Sequence, residues 1–264
     1  MDSVRSHSGS ASRAPVQARD AAGPRHDAAG SFADRSDKSE PGSDSFQETV
    51  PADEELSEEE ERTEGDRQEE ELIRKYGLWQ DEGAARLLDS CFYQLEPCME
   101  RKEVDYDFAC LDTDIPFASS CTNGCVFISR GLYRRLRRED TLFYCAHELA
   151  HTELRHYATR RRRLSEVRFA FSAPCGSPVR LRLDQAAVLS VRHQEEFEAD
   201  ALASEWLGAK SASEALDKLH QICLAEFPAG LTRPTHPPFE KRLQHVREGL
   251  PFPPLMQYLH TLLV

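Results

Sequence analysis

No run of about 18 apolar residues occurs anywhere in this 264-residue chain, so no membrane-crossing helix is expected. No apolar stretch follows a basic start, and a signal peptide is not expected either. Large apolar side chains are almost missing from the first 50 residues, which are rich in Ser, Ala, Gly, Asp and Arg. Such a segment cannot bury enough surface to offset its chain entropy and reads as disordered. The four arginines Arg160 to Arg163 have no interleaved aromatics, which argues against a nucleic-acid partner. With no secretory signal, Cys91, Cys98, Cys110, Cys121, Cys125, Cys145, Cys175 and Cys223 read as reduced thiols rather than a disulfide framework. A cytoplasmic location follows as the expectation.

Acidic charge is abundant but unevenly placed. The net charge is −13, and residues 51 to 71 alone carry 12 Asp and Glu against Arg62 and Arg67. Self-repulsion predicts a solvated, extended tail there, although a transient helix is the alternative. We therefore divide the chain into a disordered acidic region, 1–70, and one domain, 71–264, a size usual for a single core.

Within that domain the apolar period shifts repeatedly. Ala84, Leu87, Leu88, Cys91, Phe92 and Leu95 predict an amphipathic helix from Asp81 to Leu95. Val104, Tyr106, Phe108 and Cys110 alternate with small or acidic residues and predict a strand. Asn123-Gly124 between two β-prone runs predicts a hairpin, with Cys121 and Cys125 flanking its turn. A helix N-capped by Asp140 is expected next, with Arg160 to Arg163 as its solvated C-terminal end. Residues 164 to 192 read as a loop with some strand. Helices follow over His193–Leu207 and Ser213–Phe227, and a last one opens at Pro237 or Pro238. The terminal PLMQYLHTLLV docks one apolar side on the core. The class is α+β, mostly helical, with a small β-hairpin sheet.

The chemistry centres on CAHELAHTELRH, residues 145 to 156. His147 and His151 are four apart, so one helix face presents both imidazoles to a single Zn²⁺ at about 2.0–2.1 Å. Glu148 then stands beside the metal, where it can take a proton from water. The bland reading is a surface helix with two stray histidines. Leu149 and Ala150, which give that helix an apolar back, argue against it. His156 does not fit a metzincin third ligand, which needs a glycine at 154 and a histidine at 157; the chain has Leu154 and Tyr157. His156 therefore reads as a helix-surface residue.

A third ligand is sought in QEEFEADALA. Glu196 and Asp200 share a helix face, while Glu195 and Glu198 point elsewhere and read as solvated. Glu196 would be the carboxylate ligand and Asp200 would orient a ligand imidazole. On the residues alone, Glu196 is no better than an even choice. His236, ahead of Pro237-Pro238, reads alone as a capping or surface histidine.

HELAH, EFEAD and RPTHPPFEKR, with IPFASSCTNGCVFISRGLYRRL before them, resemble the HtpX and CAAX prenyl protease-like family of gluzincin zinc metallopeptidases over about residues 100 to 250. The resemblance implies a zincin-like domain with the sheet beside the zinc helix. It also implies one Zn²⁺ per chain held by His147, His151 and Glu196, a catalytic Glu148, a supporting Asp200, and His236 near the metal. Ile115-Pro116 departs from the family's residue and Asn before Phe-Ala, and the family's transmembrane helices are missing, so the chain resembles its compact soluble members. The expected activity is endoproteolysis of protein or peptide substrates, with Val126 to Ser129 pairing to an extended substrate. A non-catalytic zinc module is the rival, and a metal-free helical domain a second.

Overall fold

A computed structural model describes residues 55–169, 177–226, 236–250, 253 and 255–263. The disorder expected over the first 50 residues, Cys175 and the expected helix end at Phe227 lie outside these.

The acidic block is a helix, α1 (Glu58–Tyr76), and it runs across the division placed at residue 70. Two local terms and tertiary contacts outweigh the self-repulsion. Ser57 and Glu60 form a reciprocal capping box, and four glutamates occupy the first turn, where the helix dipole favours anions. Glu61 is buried at 3 % exposure but meets Arg101 at 2.9 Å and Arg155 at 3.1 Å. Gly65 lies so close to the hairpin turn that a Cβ there would fall 2.1 Å from the Asn123 amide nitrogen.

Helix α2 (Glu82–Leu95) forms as its period predicts, with the Asp81 carboxylate accepting from Ala84 N–H at 2.8 Å. The sheet holds β1 (Asp107–Leu111), β2 (Ala118–Ser120) and β3 (Cys125–Ser129) in the order β1-β3-β2. The hairpin is the antiparallel β2–β3 pair, and β1 adds in parallel on the other side of β3. Its turn differs from the two-residue form. Gly124 N–H donates to Cys121 C=O at 3.0 Å, and Gly124 alone takes positive φ, 95°. Among the described residues no cysteine, Cys121 and Cys125 included, is in a disulfide.

A short helix α3 (Arg130–Tyr133) leads to α4 (Arg138–Glu153), which carries the HELAH stretch. Asp140 is not its N-cap; it sits one turn in, and its carboxylate accepts from the Arg137 N–H at 3.1 Å. The arginines Arg160 to Arg163 do not extend α4 either. The chain breaks at Arg155, the one described non-glycine residue with positive φ (51°), and restarts as α5 (His156–Phe169). The expected loop and strand over 164–192 are also helical where described, because α6 already begins at Pro178 and runs through Leu207 (Pro178–Leu207). Val179 and Leu181 in the run VRLRL are 54 % and 61 % exposed, so their alternation marks no buried sheet face.

Helices α7 (Ala209–Glu226), α8 (Phe239–Glu248, N-capped by Pro238) and α9 (Leu255–Leu263) complete the described chain. Leu259 of α9 is buried with Ala187 and Val191 of α6, so the terminal stretch docks as expected. The main core joins Leu88, Leu95, Ile128, Phe143, Leu149 and Leu216 from helices and sheet. Each such side chain contributes about 1.5–3 kcal/mol relative to exposure. Among the described residues no helix is long and apolar enough to cross a membrane.

Candidate metal centre

Helix α4 is fastened by its apolar back. Phe143, Ala146, Leu149 and Ala150 are fully buried, which turns Glu148 and His151 toward a cleft, with His147 buried beside them. Helix α6 packs across α4 and supplies Glu196 and Asp200 from one of its faces.

The two ligand-type histidines face each other through Nε2, 3.2 Å apart. Glu196 closes the triangle, with Oε2 3.5 Å from His147 Nε2 and Oε1 3.6 Å from His151 Nε2. A tetrahedral ion with ligands at about 2.0–2.1 Å separates them by about 3.4 Å. The cluster therefore fits one zinc-sized cation, and among the described residues it is the one group of His, Cys, Asp or Glu so arranged. Glu196 Oε2 is buried and meets no described residue in hydrogen-bond geometry; its neighbours are ion-pair partners, His147 Nε2 at 3.5 Å and an arginine of α8.

Behind the triangle lies an ion-pair frame. His147 Nδ1 stands 3.0 Å from Asp200 Oδ1, and its Nε2 faces the cluster. Arg242 of α8, 3 % exposed, makes a two-pronged contact with Asp200, Nε and Nη2 each donating at 2.7 Å. Its Nη1 lies 3.2 Å from Glu196 Oε2. Burial is the largest single effect and pushes the Asp200 and Glu196 carboxyls up, but the Arg242 charge together with the hydrogen bonds and histidines beside them outweighs it and holds both below their ordinary range. For His147, burial pulls down while Asp200 and Glu196 pull up harder, to about 10. His151 goes the other way, pushed well down by burial and by the charge of His147. Arg242 lies in the quoted segment RPTHPPFEKR, yet sequence reasoning gave it no role.

Glu148 points into a cleft of about 550 Å³ together with His151, Glu196 and His236. Ser120 Oγ donates to Glu148 Oε2 at 3.0 Å, linking the carboxylate to the end of β2. Burial raises the Glu148 carboxyl, against a smaller pull down by the His147 charge. The cleft is bounded on one side by Phe117 to Thr122 and on another by Glu61, Gln68 and Leu72 of α1. His236, its side chain 42 % exposed, stands at the cleft with Nε2 3.7 Å from Glu196 Oε1.

Three readings of single residues change. His156 is not on the surface: it is 1 % exposed, because the reversal at Arg155 folds it back over His151. Glu195 is 1 % exposed rather than solvated, and Arg160 grips it through Nη2 at 2.7 Å. Glu198 meets Arg163 at 2.8 Å and His156 at 3.0 Å. Two of the four arginines read as a solvated helix end, Arg160 and Arg163, are the partners of these carboxylates, since α5 lies along α6.

Comparison with curated proteins finds no match. Residues 99–249, more than half of the chain, match the model of Peptidase family M48. That span contains the His147, His151 and Glu196 cluster, a gluzincin-type set of two histidines and a glutamate, and also Glu148, Asp200, His236 and Arg242. The chain belongs to peptidase family M48, the zinc metallopeptidases whose substrates are proteins or peptides.

Proposed function

We propose that His147, His151 and Glu196 hold one zinc ion and that Glu148 serves as the general base of peptide-bond hydrolysis. The observation that carries this is the triangle of two Nε2 atoms and a carboxylate, 3.2–3.6 Å on a side, opening on the same cleft as Glu148. Zinc in such a site acidifies water toward a pKa of about 7 and draws charge from a carbonyl oxygen. Glu148 accepts the proton of the attacking water and delivers it to the leaving amine. Asp200, itself fixed by Arg242, keeps the His147 ring in one orientation. A carboxylate base in this position has no use in a binding-only module, which disfavours that reading.

The strand Val126 to Ser129 does not suit substrate pairing, because β3 is paired on both sides. Of the sheet's two edge strands, β1 and β2, it is β2 whose residues Ala118 to Ser120 line the cleft. An extended peptide added there takes backbone hydrogen bonds and runs toward Glu148. His236 stands near the site of charge development and donates to the oxyanion of the tetrahedral intermediate. His236→Ala is expected to lower kcat on the order of 100-fold, with zinc content and KM little changed. Loss of zinc instead would make His236 a ligand, and unchanged kcat would leave it a surface residue.

Metal analysis tests the whole reading. The purified chain should carry about one zinc, as a three-ligand site requires, and Glu196→Ala should retain far less. Undiminished zinc in that variant would move the third ligand elsewhere.

A further inference from the structure

A buried chain of polar contacts leads away from His151, and the mechanism above makes no use of it. His151 Nδ1 lies 2.8 Å from His156 Nδ1, and His156 Nε2 lies 3.0 Å from Glu198 Oε2. Glu198 is held from two further sides, by Arg163 Nη1 at 2.8 Å and by Gln194 Nε2 at 2.7 Å. The His156 ring is almost wholly enclosed and stands edge-on to His151, with centroids 4.9 Å apart. This placement depends on a strained link. Arg155 adopts φ 51°, a left-handed backbone that a residue with a Cβ seldom takes. The link is held by Arg155 Nε donating to Glu61 at 3.1 Å and by its Nη2 donating to Leu56 C=O at 2.6 Å.

The direction of each hydrogen bond follows from its far end. Glu198 is an acceptor, so His156 Nε2 carries the proton toward it. In the neutral ring His156 Nδ1 is then an acceptor, and the proton between the two Nδ1 atoms belongs to His151. That tautomer leaves His151 Nε2 as a lone pair facing His147 Nε2 and Glu196. We infer that His156 is a positioning residue: through Glu198–His156–His151 it holds the second histidine in the tautomer and orientation that metal binding needs. This rests on the zinc site proposed above. It is the counterpart, on the opposite side of the site, of Arg242–Asp200–His147. The two histidines are thus oriented by different means, a carboxylate for one and an acceptor imidazole for the other.

The test uses the full chain loaded with Co²⁺ and read by proton NMR in water, where each ligand histidine shows a metal-shifted exchangeable N–H. The unsubstituted protein should show one such signal for His147 and one for His151. His156→Leu removes the acceptor, so the His151 signal should vanish into solvent exchange while that of His147 stays. Zinc affinity, measured by chelator competition, should fall about 10- to 100-fold. His156→Asn restores an acceptor where Nδ1 stood and should recover both the signal and most of the affinity. His156→Gln places its polar end where Nε2 stood, reaching Glu198 but not His151, and should behave like His156→Leu. That variant carries the comparison if the leucine variant does not fold. Zinc affinity and both signals unchanged in His156→Gln, in a protein that binds metal, would sink the relay alone. Failure of the unsubstituted chain to bind Co²⁺ or zinc would overturn the metal site and the relay together.

Discussion

Glu148→Gln should lower peptide hydrolysis by about 10²- to 10⁴-fold, the range for removing a general acid–base group, while leaving one zinc in place. The side chain keeps its size, and its Ser120 partner can still hydrogen-bond to the amide. What disappears is the capacity to take a proton. The pH profile gives a second reading of the same role. In the metal-free chain burial raises the Glu148 carboxyl, while a divalent cation bound beside it pulls the other way. Wherever its midpoint falls, the acid limb of kcat/KM that Glu148 sets should be missing from the residual activity of the variant. Activity close to that of the unsubstituted protein would assign the proton to another group. Loss of zinc together with activity would show that Glu148 supports the metal rather than the water.

The legible part of this site is the part set by helical spacing. His147, Glu148 and His151 depend only on residues one and four apart on a helix, and Glu196 with Asp200 repeat the same geometry on α6. The β2–β3 hairpin was legible because Asn123-Gly124 needs little beyond local backbone preference. The remainder depends on tertiary partners. His156 is buried only because the chain reverses at Arg155, and no glycine marks that reversal; Glu61, far back in the sequence, holds it. The same pairing explains the missed helix α1, whose acidic run looks self-repelling until Arg101 and Arg155 are placed against Glu61. Glu195 and Glu198 look solvated until α5 brings Arg160 and Arg163 alongside. Arg242 is one arginine in a polar stretch, and its role appears only when α8 lies against α6.

Arg242→Met should destabilise the metal-free protein by about 3–5 kcal/mol, the cost of removing one partner from a buried ion pair. The methionine fills similar space, so lost volume is a minor contribution. The cost comes from Asp200, fully buried, and Glu196, 12 % exposed, which both lose their nearest fixed cation. The sign of the pH dependence distinguishes this from a packing defect. In the unsubstituted protein Arg242, with the histidines beside it, outweighs burial and keeps both carboxyls below their unfolded values, about 3.9 for Asp and 4.3 for Glu. Their contribution is therefore present above those values and is lost as pH falls through the folded ones. In the variant, burial is opposed only by histidines, and the carboxyls rise. A group raised in the folded state contributes most below its unfolded pKa and loses that contribution as pH increases. The deficit should accordingly be largest near pH 7–8 and shrink toward about pH 5. Denaturant unfolding with chelator present, run across that range, measures it. Arg242→Lys should fall between the two, since it keeps the charge but not the paired donors that reach both Asp200 oxygens. A deficit that stays constant with pH would mean that Arg242 acts by packing, and that Asp200 holds His147 without its help.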